Sequence, residues 1–254
     1  MNKNKVNTST FFERLQKEFA AMVEEANLRQ AEVEVKAALL SPEDAIGATK
    51  RTDYVLLAGK ERLLQAKVMG AKGQAFTSAQ GDFSGTLDDV LALSLEDDFQ
   101  RAVYIATLNA VASHVGMVDN SIHCRNEGPE LCAGQVADYF RKNYGHPRIL
   151  MIGYQPALAE ALNKAFPALT VLDLDPANIG KTKNGVLIND GAVGLDEHIA
   201  NNDVIFSTGS TICNATIDTL YNASIPLVFY GTTASGAAAL LGQARFCPEA
   251  TCGK

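Results

Sequence analysis

The N-terminal part of the chain begins with a helical and then an alternating pattern of hydrophobic positions. Apolar residues recur at helical spacing after Thr10, and Thr10 with Glu13 has the form of a capping box. This pattern predicts an amphipathic helix over Thr10–Gln30. Charged and apolar residues then alternate over Glu32–Ala38, which predicts a half-exposed strand.

Further strands and a glycine-rich region follow. The apolar runs Tyr54–Ala58 and Leu63–Met69 flank a short polar segment and predict a hairpin. Four glycines between Gly70 and Gly85 indicate loop and turn, with Gln74–Thr77 as a short strand inside it.

Helical periodicity returns after Thr86. An alanine-rich apolar face predicts a helix over Glu96–Val115, with Asn109 at the edge of that face as a hydrogen-bonded buried amide. Pro129 suits the first turn of another helix that runs to Asn143.

The pattern changes after Asn143–Pro147, where short apolar runs begin to alternate with helical segments. This alternation predicts a parallel sheet that is covered by helices on both faces. The predicted strands are Arg148–Ile152, Thr170–Leu174, Gly185–Ile188, Asp203–Phe206 and Ile225–Tyr230, and the predicted helices are Ala157–Phe166, Asp196–Asn201, Thr211–Tyr221 and Ala237–Ala244. The fold class is therefore α/β, with two domains at residues 1–145 and 146–254.

Polar and glycine residues follow several of the predicted parallel strands. Ligands of such sheets bind beyond the carboxyl ends of the strands. The predicted ligand-binding residues are Gly153, Asp173, Asp175, Ser207, Thr208, Gly209, Ser210, Thr211, Gly231 and Thr232.

The turn at Ser207–Thr211 is the centre of this prediction. We expect its backbone N–H groups and hydroxyls to bind an anion, with Gly209 allowing close approach of the ligand. An ordinary strand-to-helix connection, with Ser210 or Thr211 as helix N-cap, explains the same residues. For Asp173 and Asp175, solvation of a strand end and helix capping is the interpretation that the pattern favours.

A nicotinamide cofactor is not expected. The turn after the first parallel strand reads Gly153-Tyr-Gln-Pro-Ala-Leu158, which lacks the glycine that approaches a pyrophosphate. An acid lies about twenty residues further on, at Asp173 or Asp175, as recognition of a ribose requires. A nucleoside or S-adenosylmethionine-like ligand therefore remains an alternative.

The segment Ser121–Cys132 combines an imidazole, two thiols and carboxylates. Thiolates suit zinc, copper and iron, so a soft transition metal is a candidate cofactor. The predicted ligands are Cys124, Cys132, Cys247 and, last, His123, because neighbouring residues such as His123 and Cys124 often point apart. These groups meet only if the C-terminal segment folds back over the chain. For each cysteine alone, a small buried hydrophobic residue is the alternative.

Composition and charge limit the classes of partner that the chain is expected to bind. The formal net charge of −7 argues against nucleic acid or an anionic membrane surface. The N-terminus has no apolar signal region, no apolar run is long enough to span a bilayer, and five cysteines do not suit a disulfide framework, so a cytoplasmic location is expected. Assembly with a second copy of the chain stays open.

Several motifs of the chain resemble a known family. GYQPAL at Gly153–Leu158, DLDPANIG at Asp173–Gly180 and STGSTICNATID at Ser207–Asp218 are similar to the DUF364 family, described as "putative heavy-metal chelation". The stretches Gly73–Asp89 and Ala106–Val111 resemble the DUF4213 domain that precedes it. The resemblance implies a Rossmann-like C-terminal domain, a smaller α+β domain like the enolase N-terminal domain before it, and a site between the two.

Two classes of function remain open from the sequence. The first is a protein that binds a soft metal or a metal complex in the cleft between the domains. The second is an enzyme that binds a small anionic or nucleoside-like ligand at the strand ends, with His123 or Cys124 supplying acid–base or nucleophilic chemistry. Whether the chain is an enzyme is not decided by these patterns.

Overall fold

The structure is a computed structural model that describes residues 10–38, 47–49, 51–54 and 62–254. The elements in chain order are α1 (Phe11–Glu25), β1 (Glu32–Ala38), β2 (Arg62–Val68), β3 (Ala71–Thr77), β4 (Phe83–Thr86), α2 (Leu87–Leu91), α3 (Asp98–His114), α4 (Gly128–Tyr144), β5 (Ile149–Ile152), α5 (Pro156–Ala165), β6 (Leu169–Asp173), β7 (Thr182–Lys183), β8 (Val186–Asp190), α6 (Leu195–Ala200), β9 (Val204–Thr208), α7 (Ser210–Cys213), α8 (Ile217–Tyr221), β10 (Leu227–Tyr230), α9 (Ser235–Leu241) and β11 (Ala244–Phe246).

The N-terminal half contains a four-stranded antiparallel sheet in the order β3-β2-β1-β4. The residues of β1 alternate, and Val33 and Val35 are buried. Helix α3 packs against this sheet with every residue from 101 to 113 buried. Gly73 of β3 faces the helix, where a Cβ would lie 2.2 Å from the main-chain nitrogen of Ala110. The glycine therefore allows strand and helix to approach closely.

The C-terminal half contains a seven-stranded sheet in the order β11-β10-β9-β5-β6-β8-β7. The strand pairs are parallel except for the antiparallel pair of β7 with β8. With β5, β6, β8, β9, β10 and β11 counted as strands one to six, the order is 3-2-1-4-5-6, which is that of the Rossmann fold. The order reverses between β5 and β9, and connections leave these two strands in opposite directions.

Alternate residues of the parallel strands point to two hydrophobic clusters. Leu150, Ile205 and Phe229 join a cluster that extends through α1 and α3 to the antiparallel sheet. Met151 and Phe206 point the other way, into a cluster with α4 and α5. Helix α4 precedes residue 145 and still packs on the parallel sheet, and the division of the chain at residue 145 stays a prediction.

Several predicted elements are confirmed. Strand β1 has the predicted bounds. The capping box of α1 is formed, because the Glu13 N–H donates to Thr10 Oγ1 at 3.2 Å and the Thr10 N–H donates to the Glu13 carboxylate at 2.8 Å. The helix ends at Glu25, before Gln30, and Asn27 then takes a positive φ of 54°.

Other predicted elements need correction. The stretch Gly70–Gly85 contains β3 and the start of β4, because its glycines serve close packing as well as turns. The predicted helix Thr211–Tyr221 is two short helices, α7 and α8, separated at Ala215 with φ 58°. Strand β11 was not predicted. Of the predicted hairpin, residues 55–61 lie outside the described residues, and β2 pairs with β1 and β3.

No helix in the described part of the chain combines the length and the apolar character that a transmembrane helix needs.

Candidate functional site

A cavity of about 600 Å³ lies at the carboxyl ends of the parallel strands. Its lining includes the turns after β5, β6, β9 and β10, namely Gly153–Pro156, Asp173–Pro176, Thr208–Thr211 and Gly231. The turns after β5 and β9 meet where the strand order reverses, which is the position at which open α/β sheets bind their ligands.

The N-terminal half supplies the opposite wall through Tyr54, Phe76, Ser78, His123 and Pro129. The Phe76 N–H donates a hydrogen bond of 3.0 Å to Thr233 Oγ1, which joins β3 to the loop after β10. The Phe76 and His123 rings meet edge to face with their centroids 5.2 Å apart. The cavity is therefore closed by residues from both halves of the chain.

Most of the predicted ligand-binding residues line this cavity. They are Gly153, Asp173, Asp175, Thr208, Gly209, Ser210, Thr211 and Gly231. Ser207 and Thr232 do not line it and are completely buried. Their ligand role stays a prediction, because a lining position does not identify what is bound.

The turn after β9 requires one correction. The Gly209 N–H donates to the Tyr230 carbonyl oxygen at 3.0 Å, and the Ser210 N–H donates to Thr208 Oγ1 at 3.3 Å. These two N–H groups, which were expected to bind an anion, are used inside the chain. Thr208, Ser210 and Thr211 are the hydroxyl-bearing residues of this turn that line the cavity.

Gly209 is also explained differently from the sequence-based expectation. Its φ of −64° suits any residue. A Cβ at this position would lie 2.6 Å from the main-chain nitrogen of Ala234. The missing side chain therefore makes room for the loop before α9 and not for a ligand.

Gly153 combines a backbone requirement with a packing requirement. Its φ is +85°, where side chains are disfavoured. A Cβ would also lie 2.7 Å from Thr208 Cγ2. The Tyr230 hydroxyl donates to the Gly153 carbonyl oxygen at 2.7 Å and fixes the turn against β10.

The Asp173 carboxylate organises the loop after β6. It accepts hydrogen bonds from the Tyr154 N–H at 2.9 Å, the Asp175 N–H at 2.8 Å and the Asn178 side-chain amide at 3.1 Å. Asp175 in turn accepts from the Ala177 N–H at 2.9 Å. Both aspartates thus accept hydrogen bonds from main-chain N–H groups of loops and cap no helix of the described chain. Their role in ligand binding stays a prediction.

The charged residues of the lining limit which ligands suit the cavity. Among the described residues that line the cavity, Asp173 and Asp175 are the carboxylates, His123 is the imidazole, and no lysine or arginine is present. A phosphate group would therefore meet two carboxylates, which is electrostatically unfavourable. A neighbouring cation, Lys183, does not line the cavity and is engaged by Asn178 Oδ1 and the Tyr154 ring.

The predicted metal ligands separate into two places. His123 lines the cavity, whereas Cys124, Cys132 and Cys247 do not. The C-terminal segment does fold back, because Thr251 pairs with Ile122 in a β-bridge. This places Cys247 close enough to Cys132 and Cys124 to influence their titration.

Cys124 lies beside the first turn of α4, where a Cβ on Gly128 would come 3.2 Å from its sulfur, and Cys132 lies one turn further along that helix. Interaction with Cys132, together with burial, raises the pKa of Cys124, whereas the interaction with Cys124 lowers the pKa of Cys132. Among the residues that the structure describes, no three His, Cys, Asp or Glu side chains are grouped so that they could hold a metal ion. The predicted four-ligand centre is thus not assembled from those residues.

Cys213 and Cys252 lie apart from this pair. Cys213 is buried in the core beside α3, and burial raises its pKa to about 12. Cys252 is exposed, and the structure shows all five cysteines as free thiols.

Some lining residues were missed at the sequence level. Phe76 lay in the predicted short strand Gln74–Thr77 and Ser78 in the glycine-rich loop around it. No local signal indicated that they reach the strand ends of the other sheet. Asn178 is part of the DLDPANIG stretch, but its contact with the Asp173 carboxylate depends on the fold of the loop. Asn109 is confirmed as a hydrogen-bonded buried amide.

Fold and cavity together define an α/β protein with a ligand-sized cavity at the reversal of a Rossmann-ordered sheet. Residues 135–244 match the model of the DUF364 family, whose description is "putative heavy-metal chelation". The fold is similar to the crystal structure of a protein with unknown function from the DUF364 family of Pyrococcus horikoshii. The two are 15% identical, the match covers 88% of this chain and 79% of that chain, and the TM-score is 0.51.

These similarities support the fold. No curated protein matches the chain. Because the family match begins at residue 135, the resemblance of the N-terminal half to DUF4213 and to the enolase N-terminal domain stays a prediction.

Proposed function

We propose that this chain binds a small organic molecule of nucleoside-like character, without a phosphate group, in the cavity at the strand ends. The observation that carries the proposal is the lining, which has an apolar wall and a hydroxyl-bearing wall and no lysine or arginine among the described positions.

The size and the place of the cavity support an organic ligand. Small-molecule sites have volumes of roughly 300–1,000 Å³ and occur where strand order reverses in open α/β sheets. The cavity of about 600 Å³ lies in that range and at that place. A bare metal ion needs far less space.

The two walls suit the two parts of a nucleoside. Leu172, Leu174, Pro176 and Leu195 line the side of β6 and α6, next to the carboxylates Asp173 and Asp175. These four apolar side chains can pack against a flat ring. Thr208, Ser210 and Asn214 line the side of β9 and offer hydroxyl and amide groups to a sugar. Apolar walls with a few convergent polar groups are typical of such pockets.

The charges of the lining distinguish a nucleoside from a nucleotide. Asp173 and Asp175 repel an anion, and the backbone N–H groups of Gly209 and Ser210 are already hydrogen-bonded. A neutral or cationic ligand avoids both problems, and a sulfonium compound such as S-adenosylmethionine is compatible with the same charges.

A second candidate, a metal complex of a small organic chelator, is favoured by one observation. The family that matches residues 135–244 is described as "putative heavy-metal chelation". The cavity has room for such a complex, with the chelator supplying the donor atoms that the lining lacks.

Thermal-shift measurements with adenosine, guanosine, cytidine, uridine, S-adenosylmethionine and adenosine monophosphate test the first candidate. We expect at least one nucleoside or S-adenosylmethionine to raise the melting temperature more than the monophosphate does. Elemental analysis of protein purified without chelators or a metal-affinity tag tests the second candidate. Stoichiometric metal that leaves together with an organic molecule on denaturation would favour the complex.

A further inference from the structure

The walls of the cavity differ in the hydrogen bonds that they can make. Asp173 and Asp175 line the side of β6, and an ionised carboxylate accepts hydrogen bonds but donates none. Asp173 already accepts from the Tyr154 N–H, the Asp175 N–H and the Asn178 amide. These bonds occupy most of the roughly four acceptor positions of a carboxylate. The acceptor that a ligand meets on this side is therefore the carboxylate of Asp175.

The side of β9 offers hydrogen-bond donors. The Thr208 hydroxyl donates to Ser210 Oγ at 3.4 Å, and among the described contacts the Ser210 proton is left for a ligand. The Asn214 side-chain oxygen accepts from the Thr216 hydroxyl at 2.7 Å and from the Thr216 N–H at 3.2 Å. The amide nitrogen is therefore the group that Asn214, which lines the cavity, offers to a ligand.

The acceptor side and the donor side lie two strand spacings apart. Strand β5 lies between β6 and β9, and neighbouring strands are separated by about 4.8 Å, so the two sides are roughly 10 Å apart. Gly153, which follows β5, lines the cavity between them without a side chain. A ring that packs on Leu174 and Pro176 lies beside Asp175, because these three residues are consecutive in the chain.

We propose that the base of the bound nucleoside carries an exocyclic amine, and that the Asp175 carboxylate accepts a hydrogen bond from this amine. The inference rests on the proposed function and names the class of base, which is adenine, guanine or cytosine. A carbonyl oxygen in the same place would face the carboxylate without a hydrogen between them, which is unfavourable. The sugar then faces the donors of Ser210 and Asn214. The cavity is the site, and Asp175 selects among its ligands.

Matched nucleosides test the role of the amine. The full-length protein is titrated calorimetrically with three pairs, in which the first member carries the amine and the second lacks it: adenosine and purine riboside, guanosine and inosine, cytidine and uridine. The tightest-binding nucleoside should carry the amine, and its partner should bind about tenfold more weakly, because it lacks a hydrogen bond to a charged acceptor.

The same titrations separate this inference from the proposed function. If the tightest-binding nucleoside lacks the amine, or binds no better than its partner, the inference is overturned and the proposed function stands. If none of the six nucleosides binds, both are overturned.

Asp175→Asn and the matched control Asp190→Asn test the carboxylate. Both aspartates are half-buried and accept a 2.9 Å hydrogen bond from the N–H two residues further on, at Ala177 and Ala192. Asp190 does not line the cavity. Asp175→Asn should bind the two members of the pair with similar affinity, because an amide can also donate to a base without the amine. Asp190→Asn should keep the tenfold preference.

The preference within a pair is a readout that a purely structural role of Asp175 would not change, since a distorted loop weakens both members alike. An unchanged preference in Asp175→Asn would contradict the assignment of this residue. If the variant fails to fold, as judged by circular dichroism, the nucleoside pairs measured on the wild-type protein still decide whether the amine is recognised.

Discussion

Asn109 and Gly236 are joined by a hydrogen bond of 2.6 Å from the Gly236 N–H to the Asn109 side-chain oxygen. The Asn109 amide nitrogen donates in addition to the carbonyl oxygens of Gln74, Thr232 and Thr233 at 2.8, 3.2 and 3.0 Å. One completely buried side chain thus connects α3, β3 and the loop before α9. This connection holds together the two halves of the chain that close the cavity.

Replacing Asn109 with alanine should lower the free energy of unfolding by about 3 kcal/mol, because it leaves several buried main-chain groups without a partner. Urea denaturation measures the change. Asn143→Ala is the matched control, since the exposed Asn143 only donates to the Tyr139 carbonyl oxygen of its own helix. A loss from Asn109→Ala no larger than that of the control would show that the network is not holding the halves together.

Gly209 and Gly134 should respond to alanine with opposite signs. At Gly209 a methyl group would meet the Ala234 main chain at 2.6 Å, and the free energy of unfolding should fall by about 2 kcal/mol. At Gly134, which is exposed within α4 and has nothing within 4 Å, it should rise by roughly 0.5–1 kcal/mol. Thermal or urea denaturation of both variants checks the pair. If Gly209→Ala leaves the free energy of unfolding unchanged, Ala234 does not crowd this position, and Gly209 is again a candidate for ligand contact.

Local patterns predicted the order of the elements well, because each depends on residues close in sequence. The bounds of β1 and the capping box at Thr10 are examples. The predictions failed where the role of a residue is determined by a contact with a residue distant in sequence. Gly73 was interpreted as a turn glycine, yet it serves the approach of β3 to Ala110 on α3. Such contacts leave no trace in a short window of sequence.

Asp203 should titrate at a low pH. The side chain of Arg148, and then its backbone N–H, hydrogen-bond the carboxylate and lower its pKa to about 2. The unfolded value is about 3.9, so the stabilisation is present above about pH 4 and is lost as the pH falls through 2. The difference in unfolding free energy between wild type and Asp203→Asn should therefore shrink over that interval.

Nuclear magnetic resonance of the Asp203 carboxyl carbon gives a direct check of the same pair. A midpoint near 2 is expected from the contacts with Arg148. A midpoint near the unfolded value of about 3.9 would show that the pair is not formed in solution.

The site was predictable in position and less so in chemistry. The residues that follow parallel strands identify a sheet edge, which is why Gly153, Asp173 and Thr208 were expected at the cavity that they line. A main-chain N–H group is available to a ligand only if the neighbouring strand does not accept its hydrogen bond. The Gly209 N–H, for example, is taken by the Tyr230 carbonyl oxygen. The opposite wall, with Phe76, depends on how the two halves pack.

Leu174 should contribute to ligand binding through its apolar contact. It lines the cavity and is 49% exposed, so Leu174→Ser should leave the fold intact. Losing this contact should weaken binding of a nucleoside about tenfold. Leu187→Ser is the matched control, because Leu187 is 53% exposed and does not line the cavity.

Isothermal titration calorimetry of the full-length protein with the nucleoside or sulfonium compound that gives the largest thermal shift tests the central claim most directly. We predict one bound molecule per chain, weaker binding of the corresponding monophosphate, weakened binding to Leu174→Ser and unchanged binding to Leu187→Ser. Absence of binding for the whole set of nucleosides and S-adenosylmethionine, or equal affinity of Leu174→Ser and wild type, would contradict the account.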